Sequence, residues 1–232
     1  MTTTAPKKSD LGVRTASAVV MAAVTGVALW LGGWAWLGFV LVVSLGVLFE
    51  WTRLFLAFTE TFAGRLVWAV AGVVYIGVAG LMLVYLRRDG WDGALFPVLL
   101  VVATDTGAYF TGRTFGGPKI ARSISPSKTW SGLAGGTLLA GLVALSPVFT
   151  VAKGIRVETG LMIQLFAFGA VAAVFAQGGD FFQSWMKRRA GVKDSSNLIP
   201  GHGGLFDRLD GLMAVLFTTA VVFLVTHAME GS

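Results

Sequence analysis

The chain has 232 residues, 55% of them hydrophobic and only 13% charged, with a mean hydropathy of +0.76. Ordinary globular domains carry roughly 25% charge, so these values exclude a water-soluble domain and predict an all-α polytopic membrane protein, one integral domain over residues 1–232. The net charge of +6 suits loops facing anionic lipid and no nucleic acid is expected as partner, while the lack of cysteine excludes disulfides and thiolate metal sites.

Residues 1–14 form a short basic arm with Lys7, Lys8 and Arg14. No small-residue cleavage site follows, so 15–31 reads as the first spanning helix, broken by Gly32 and Gly33. A second span runs from Trp34 to Phe49 and on through Trp51, because roughly 20 residues are needed to cross the hydrocarbon. Residues 50–64 read either as an interfacial helix or as an extension of span two, with Glu50 and Arg53 spaced to pair on one helix face.

Span three covers 66–86 and ends at Arg87, Arg88 and Asp89. Span four covers 95–110 and carries Asp105 inside its apolar run. An ionisable residue there marks a functional position, or else a hydrogen-bonding group between helices. A polar island, 111–128, follows. Span five, 132–149, has Gly132 and Gly136 at the spacing that lets helices approach closely. A loop with Lys153 and Arg156 leads to span six, 161–179; the longest polar stretch, 178–210, then precedes span seven, 209–227.

Charge orients these seven spans. With the N-terminus cytoplasmic, segments 1–14, 50–65, 111–130 and 181–208 lie inside and hold 14 of the 18 basic residues. That bias fits the positive-inside rule. It also puts both polar islands on the cytoplasmic face, where they can form one composite active site. A transporter would instead spread its charges through several spans.

The residue types indicate the chemistry. Asp180, Ser184, Lys187 and Arg188 recur at helical spacing if span six runs past the membrane surface. Asp207 and Asp210 flank Arg208 at the mouth of span seven. Carboxylates such as Asp180 and Asp207 suit Mg²⁺, a hard cation that binds beside substrate phosphates, and Lys and Arg suit the phosphates themselves. Together they describe metal-assisted phosphoryl or nucleotidyl transfer. Residues 200–204, Pro-Gly-His-Gly-Gly, make a tight turn whose backbone can approach an anion, and His202 could donate to phosphate or relay a proton. Ser125, Ser127, Lys128 and Thr129 open span five, where a helix N-terminus favours an anion, although no P-loop pattern is present.

The stretch 179–210 closely resembles the signature of the phosphatidate cytidylyltransferase (CDP-diacylglycerol synthase) family. From Ser184 onward, Lys187, Arg188, Lys193, Asp194, Ser196, Ile199, His202, Gly203, Gly204, Asp207, Arg208 and Asp210 all fall in its pattern. The first island matches too, from Asp105 through Tyr109, then Gly112-Arg113, Phe115-Gly116 and 125–130, so the likeness is sharpest over 95–210. Ser131 stands where the family commonly has glutamate, and Gln183 where an acidic residue is frequent.

The resemblance implies an enzyme of the bacterial inner (plasma) membrane that takes CTP and phosphatidic acid to CDP-diacylglycerol and pyrophosphate with Mg²⁺. It implies Asp180 and Asp207 as the metal pair and Lys187, Arg188, Lys193 and Arg208 as neutralisers of phosphate charge. Ser125, Lys128, Thr129, Ser184 and Asp194 become substrate contacts, and His202, Gly203 and Gly204 a closing loop. Asp105 and Asp210 stand at the margin of this set, and a homodimer is expected. The attacking group is already an anionic phosphate, so no serine or cysteine nucleophile is required.

Overall fold

The computed structural model describes residues 11–151 and 158–230; Lys7, Lys8, Lys153 and Arg156 lie outside the described residues. Among the described residues, seven segments are long and apolar enough to cross a membrane, matching the seven expected spans. They are α1 (Leu11–Leu31), α2 (Gly33–Phe58), α3 (Phe62–Leu86), α4 (Trp91–Phe115), the segment Trp130–Val148, α7 (Thr159–Arg189) and α8 (Phe206–Glu230).

The break between α1 and α2 falls at Gly32 and Gly33, whose φ of 64° and 49° only glycine adopts readily. Residues 50–58 continue α2, so the extension holds and the interfacial helix does not. The segment Trp130–Val148 is α5 (Trp130–Val143), a turn, and α6 (Ser146–Val151). Pro147 accounts for that interruption: it has no N–H for the Val143 carbonyl four residues back, and its ring would collide with it.

Residues 125–129, expected to lead into the N-terminus of span five, do so as a strand. β2 (Ser125–Thr129) pairs antiparallel with β1 (Lys119–Ala121), with Lys119 opposite Thr129 and Ala121 opposite Ser125. The helix begins one residue later, and Thr129 caps it by accepting from the Gly132 N–H at 3.1 Å. This ribbon is the sole sheet among the described residues of an otherwise helical protein.

Inside lipid the helices gain little from the hydrophobic effect, so close packing holds them together. A Cβ on Gly136 would stand 2.8 Å from the Thr104 carbonyl oxygen, and one on Gly132 3.1 Å from that of Ala108. These glycines therefore let α5 lie directly on the α4 backbone. Gly136→Leu should force the two apart and lower the thermal midpoint in detergent, since overpacking costs about 1–3 kcal/mol; an unchanged midpoint would remove this contact from the account.

The second packing centre is aromatic. Trp51, 2% exposed, has the rings of Trp68, Tyr75, Phe182 and Phe206 at 5.6–5.9 Å and donates its indole N–H to the Trp68 carbonyl at 2.9 Å. It thereby ties α2, α3, α7 and α8 together beneath the polar residues. α1 is the outlier, with Ala28 its one buried residue. Its C-terminal end is held by Arg87, whose Nε donates to the Leu29 carbonyl at 2.8 Å. A cation on the last carbonyls of a helix satisfies orphan acceptors, which gives Arg87 a use at the opposite end from the islands.

Candidate active site

The two polar islands meet because two helices overrun the membrane. α7 has 31 residues, about 46 Å at 1.5 Å per residue against a hydrocarbon core of roughly 30 Å. Its last turns present Asp180, Ser184 and Lys187 on one face, and Ser184 Oγ donates to Asp180 Oδ1 at 3.2 Å. α4 likewise runs on to Phe115, where Gly116 turns the chain into the β-ribbon at φ 60°.

The contact between islands is an ion pair. Lys128 Nζ, at the end of β2, lies 2.6 Å from Asp180 Oδ2 and 4.6 Å from the Phe181 ring centre. A second tie runs from Arg188 Nε to the Ile124 carbonyl at 3.4 Å. Beside Lys128 and Asp180 opens a polar cavity of about 620 Å³ between α4, α5 and α7. Asp105, Tyr109, Arg113, Thr129 and Gln177 also line it. Asp105 and Asp210 both lie within Coulombic reach of Asp180 and Lys128. Three carboxylates and a lysine thus share one region.

Asp207 holds a different position. Its Oδ1 accepts from Lys187 Nζ and Gln183 Nε2, both at 2.7 Å. Its Oδ2 accepts from the Ser195 N–H at 2.8 Å and the Gly204 N–H at 2.9 Å, and shares the single Ser195 hydroxyl proton, 3.0 Å away, with Glu50. Asp207 is the hub on which the signature loop is wound, and Gln183, fully buried, supplies it with a donor where a second carboxylate would repel it. Ser131, the other departure from the family pattern, donates to the Gly116 carbonyl and bonds Thr129 Oγ1 at 3.1 Å, closing the entry to α5.

Glu50 was not foreseen. It pairs with no cation among the ion pairs of the described residues, so the expected Glu50–Arg53 pair does not form. Its carboxylate is fully buried and accepts four bonds: from Ser195 Oγ at 2.8 Å, Ser196 Oγ, the Leu205 N–H at 2.9 Å and the Phe206 N–H at 2.6 Å. Gly204 leaves the space it needs, since a Cβ there would lie 2.7 Å from Glu50 Oε2. A glutamate in a run as apolar as 34–58 was the available signal; its partners, 145 to 156 residues away, were not readable.

The other expected residues spread out from this centre. The turn 199–203 closes as anticipated, with the Ile199 N–H on the Gly203 carbonyl at 2.9 Å and Gly203 at φ 83°. His202, however, faces α1, its Nδ1 2.9 Å from Ser17 Oγ, and does not line the Asp180 cavity. The His202 carbonyl accepts from Arg208 Nε and Nη2 at 3.1 and 2.6 Å. Lys193 and Asp194 line a separate polar cleft with Arg53. Ser125 sits in the ribbon opposite Ala121.

The donor set suits a divalent cation of the Mg²⁺ kind. Among the described residues no three acidic or histidine groups are clustered to hold a metal alone. Mg²⁺ ordinarily takes one or two protein carboxylates and completes its shell with water and phosphate. Asp180 faces the cavity and already holds a cation, the Lys128 ammonium; Asp207 holds that of Lys187 at 2.7 Å, which an ion there would displace.

Comparison with known proteins agrees with this chemistry. Residues 55–226 match the sequence model of the Cytidylyltransferase family. A phosphatidate cytidylyltransferase of Brucella suis biovar 1 (strain 1330) is 39% identical over 193 residues, 78% of this chain and 69% of that protein. One from Rickettsia felis is 33% identical over 80% of this chain and 79% of its own length. One from Rickettsia conorii is 33% identical over 94% and 92%.

Proposed function

Because this chain belongs to the Cytidylyltransferase family, we propose that it transfers the cytidylyl group of CTP to phosphatidic acid, giving CDP-diacylglycerol and pyrophosphate. The observation that carries this reading is the Lys128–Asp180 pair, which joins the two islands beside a polar cavity at the end of a membrane bundle. A water-soluble nucleotide and a membrane lipid can meet only at such a boundary.

In the reaction a phosphatidate phosphate oxygen attacks the α-phosphorus of CTP. The bond from that phosphorus to the bridging oxygen breaks, and pyrophosphate leaves with the electron pair. No side chain becomes covalently bound, so the protein's work is positioning and charge neutralisation. Lys128, at the cavity wall, is placed to leave Asp180 for a phosphate; Lys187 stands in the same relation to Asp207. Thr129 and the α5 N-terminus offer further donors, and Arg188 holds the ribbon against α7. Ser184 orients Asp180, and Asp105 and Asp210 keep the region selective for cations. Lys193 and Asp194 serve the neighbouring cleft, with Ser125 fixing the ribbon register. Gly203 and Gly204 permit the close turn that presents His202 and Arg208. Asp180 and Asp207 would hold Mg²⁺, which supplies neutralisation of the triphosphate charge.

The site is read as cytoplasmic from the 14 of 18 basic residues on that face, and the membrane as the bacterial inner membrane from the bacterial relatives. A homodimer completes the proposal. Pyrophosphate release from detergent-solubilised protein should need CTP and phosphatidate together, stop on chelation, and resume with Mg²⁺. Chelation without effect would remove the ion; no pyrophosphate under any condition would overturn the reaction.

A further inference from the structure

Resting on that reading, we propose that the apolar cavity between α1, α2 and α8 receives an acyl chain of the phosphatidate, with Arg208 at its mouth on the lipid phosphate. The cavity measures about 380 Å³ and is distinct from the polar one beside Asp180. Among its lining residues Arg208 is the one charged side chain. The His202 carbonyl takes two of the guanidinium N–H groups, leaving three of the five for an anion.

Depth selects a lipid chain. Along α8 the lining runs from Arg208 through Leu209 and Leu212 to Leu216, and along α2 from Ser44 to Trp36. Each path rises through eight residue steps, about 12 Å at 1.5 Å per residue, close to one leaflet of a hydrocarbon core of roughly 30 Å. A phosphate at one end and a leaflet-deep apolar slot below it are the two halves of a phosphatidate.

The two faces of α8 then divide the labour. Asp207 turns toward Lys187 and the signature loop, while the adjacent Arg208 lays its side chain along the edge of the apolar cavity and keeps its guanidinium exposed beside the His202 carbonyl. The outer wall is α1, through Val20 and Val24, and Ser17 binds this wall to the signature turn by donating to the Pro200 carbonyl at 2.9 Å. The other large apolar groove, lined by Trp51, Trp68, Tyr75 and Phe182, has no charged side chain in its lining to hold a phosphate.

The test fills the slot. Val24→Trp and Val43→Trp should each raise KM for dioleoyl phosphatidate about tenfold or more, as several methylenes lose their burial. KM for CTP and for dihexanoyl phosphatidate should stay unchanged, as should all constants in Val27→Trp, an α1 position outside the cavity lining. Equal effects on long and short chains, or none, would overturn the proposal. A phosphatidate with a diazirine at the chain terminus gives a readout independent of turnover. Labelling within 20–25, 36–44 or 209–216, competed by phosphatidate and not by phosphatidylcholine, supports it. Labelling within 68–75 or 175–182, or labelling competed by either lipid, overturns it. Wild-type protein inactive with phosphatidate would instead count against the reaction itself.

Discussion

Asp207→Asn is expected to reduce turnover about a thousandfold or more, the loss that roughly 4 kcal/mol produces. Asparagine has the same shape but one oxygen becomes an NH₂, and Asp207 has donors on both sides. Lys187 and Gln183 approach Oδ1, while the Ser195 and Gly204 N–H groups approach Oδ2. Whichever way the amide turns, it sets a donor against donors. Lys187, only 15% exposed, also loses its counter-charge. Removing one partner of a buried pair costs about 3–5 kcal/mol. Product formation at saturating CTP and phosphatidate measures the effect. Activity within a factor of a few of wild type would remove Asp207 from the centre of the site.

Glu50→Gln should be nearly as damaging, although Glu50 lies outside the span matched by the family model and outside the cavity. The Leu205 N–H points at Oε1 and the Phe206 N–H at Oε2. Backbone N–H groups cannot reverse, so one of them must face the new amide NH₂ in either orientation. Each unsatisfied buried donor costs about 1–3 kcal/mol, and hydrogen bonds to a charged acceptor are worth about 1.5–3 kcal/mol. A loss of about a hundredfold in kcat, with KM for CTP little changed, is the signature of a misplaced loop. Glu50→Asp keeps both acceptors and should recover part of the rate. A shift in thermal midpoint with normal kcat in the folded fraction would reduce Glu50 to a structural role.

These two residues also mark where the sequence was legible. Seven spans and a shared face for the islands followed from hydropathy and from the basic residues of the loops, both of which are read locally along the chain. The α7 face could be read because Asp180, Ser184 and Lys187 belong to one helix with a fixed period. Glu50 could not, because its sequence neighbour Arg53 looked like its partner while its true donors come from the loop before α8. Residues 125–129 read as the approach to the N-terminus of span five; five residues carry no period to show that they pair with 119–121 as a ribbon. His202 matched the motif, yet its ring partner is Ser17 on α1, 185 residues away. Motif spacing fixes which residues share a loop; tertiary contacts decide where each one points.

The most direct measurement follows the label of CTP. Purified protein in nanodiscs receives CTP labelled at the α-phosphorus with Mg²⁺ and either phosphatidate or a polyprenol. The account predicts that the label enters the lipid extract as CDP-diacylglycerol, in equal amount to the pyrophosphate released, with phosphatidate alone. Label appearing only with the polyprenol, or remaining in the aqueous phase with both, would contradict it.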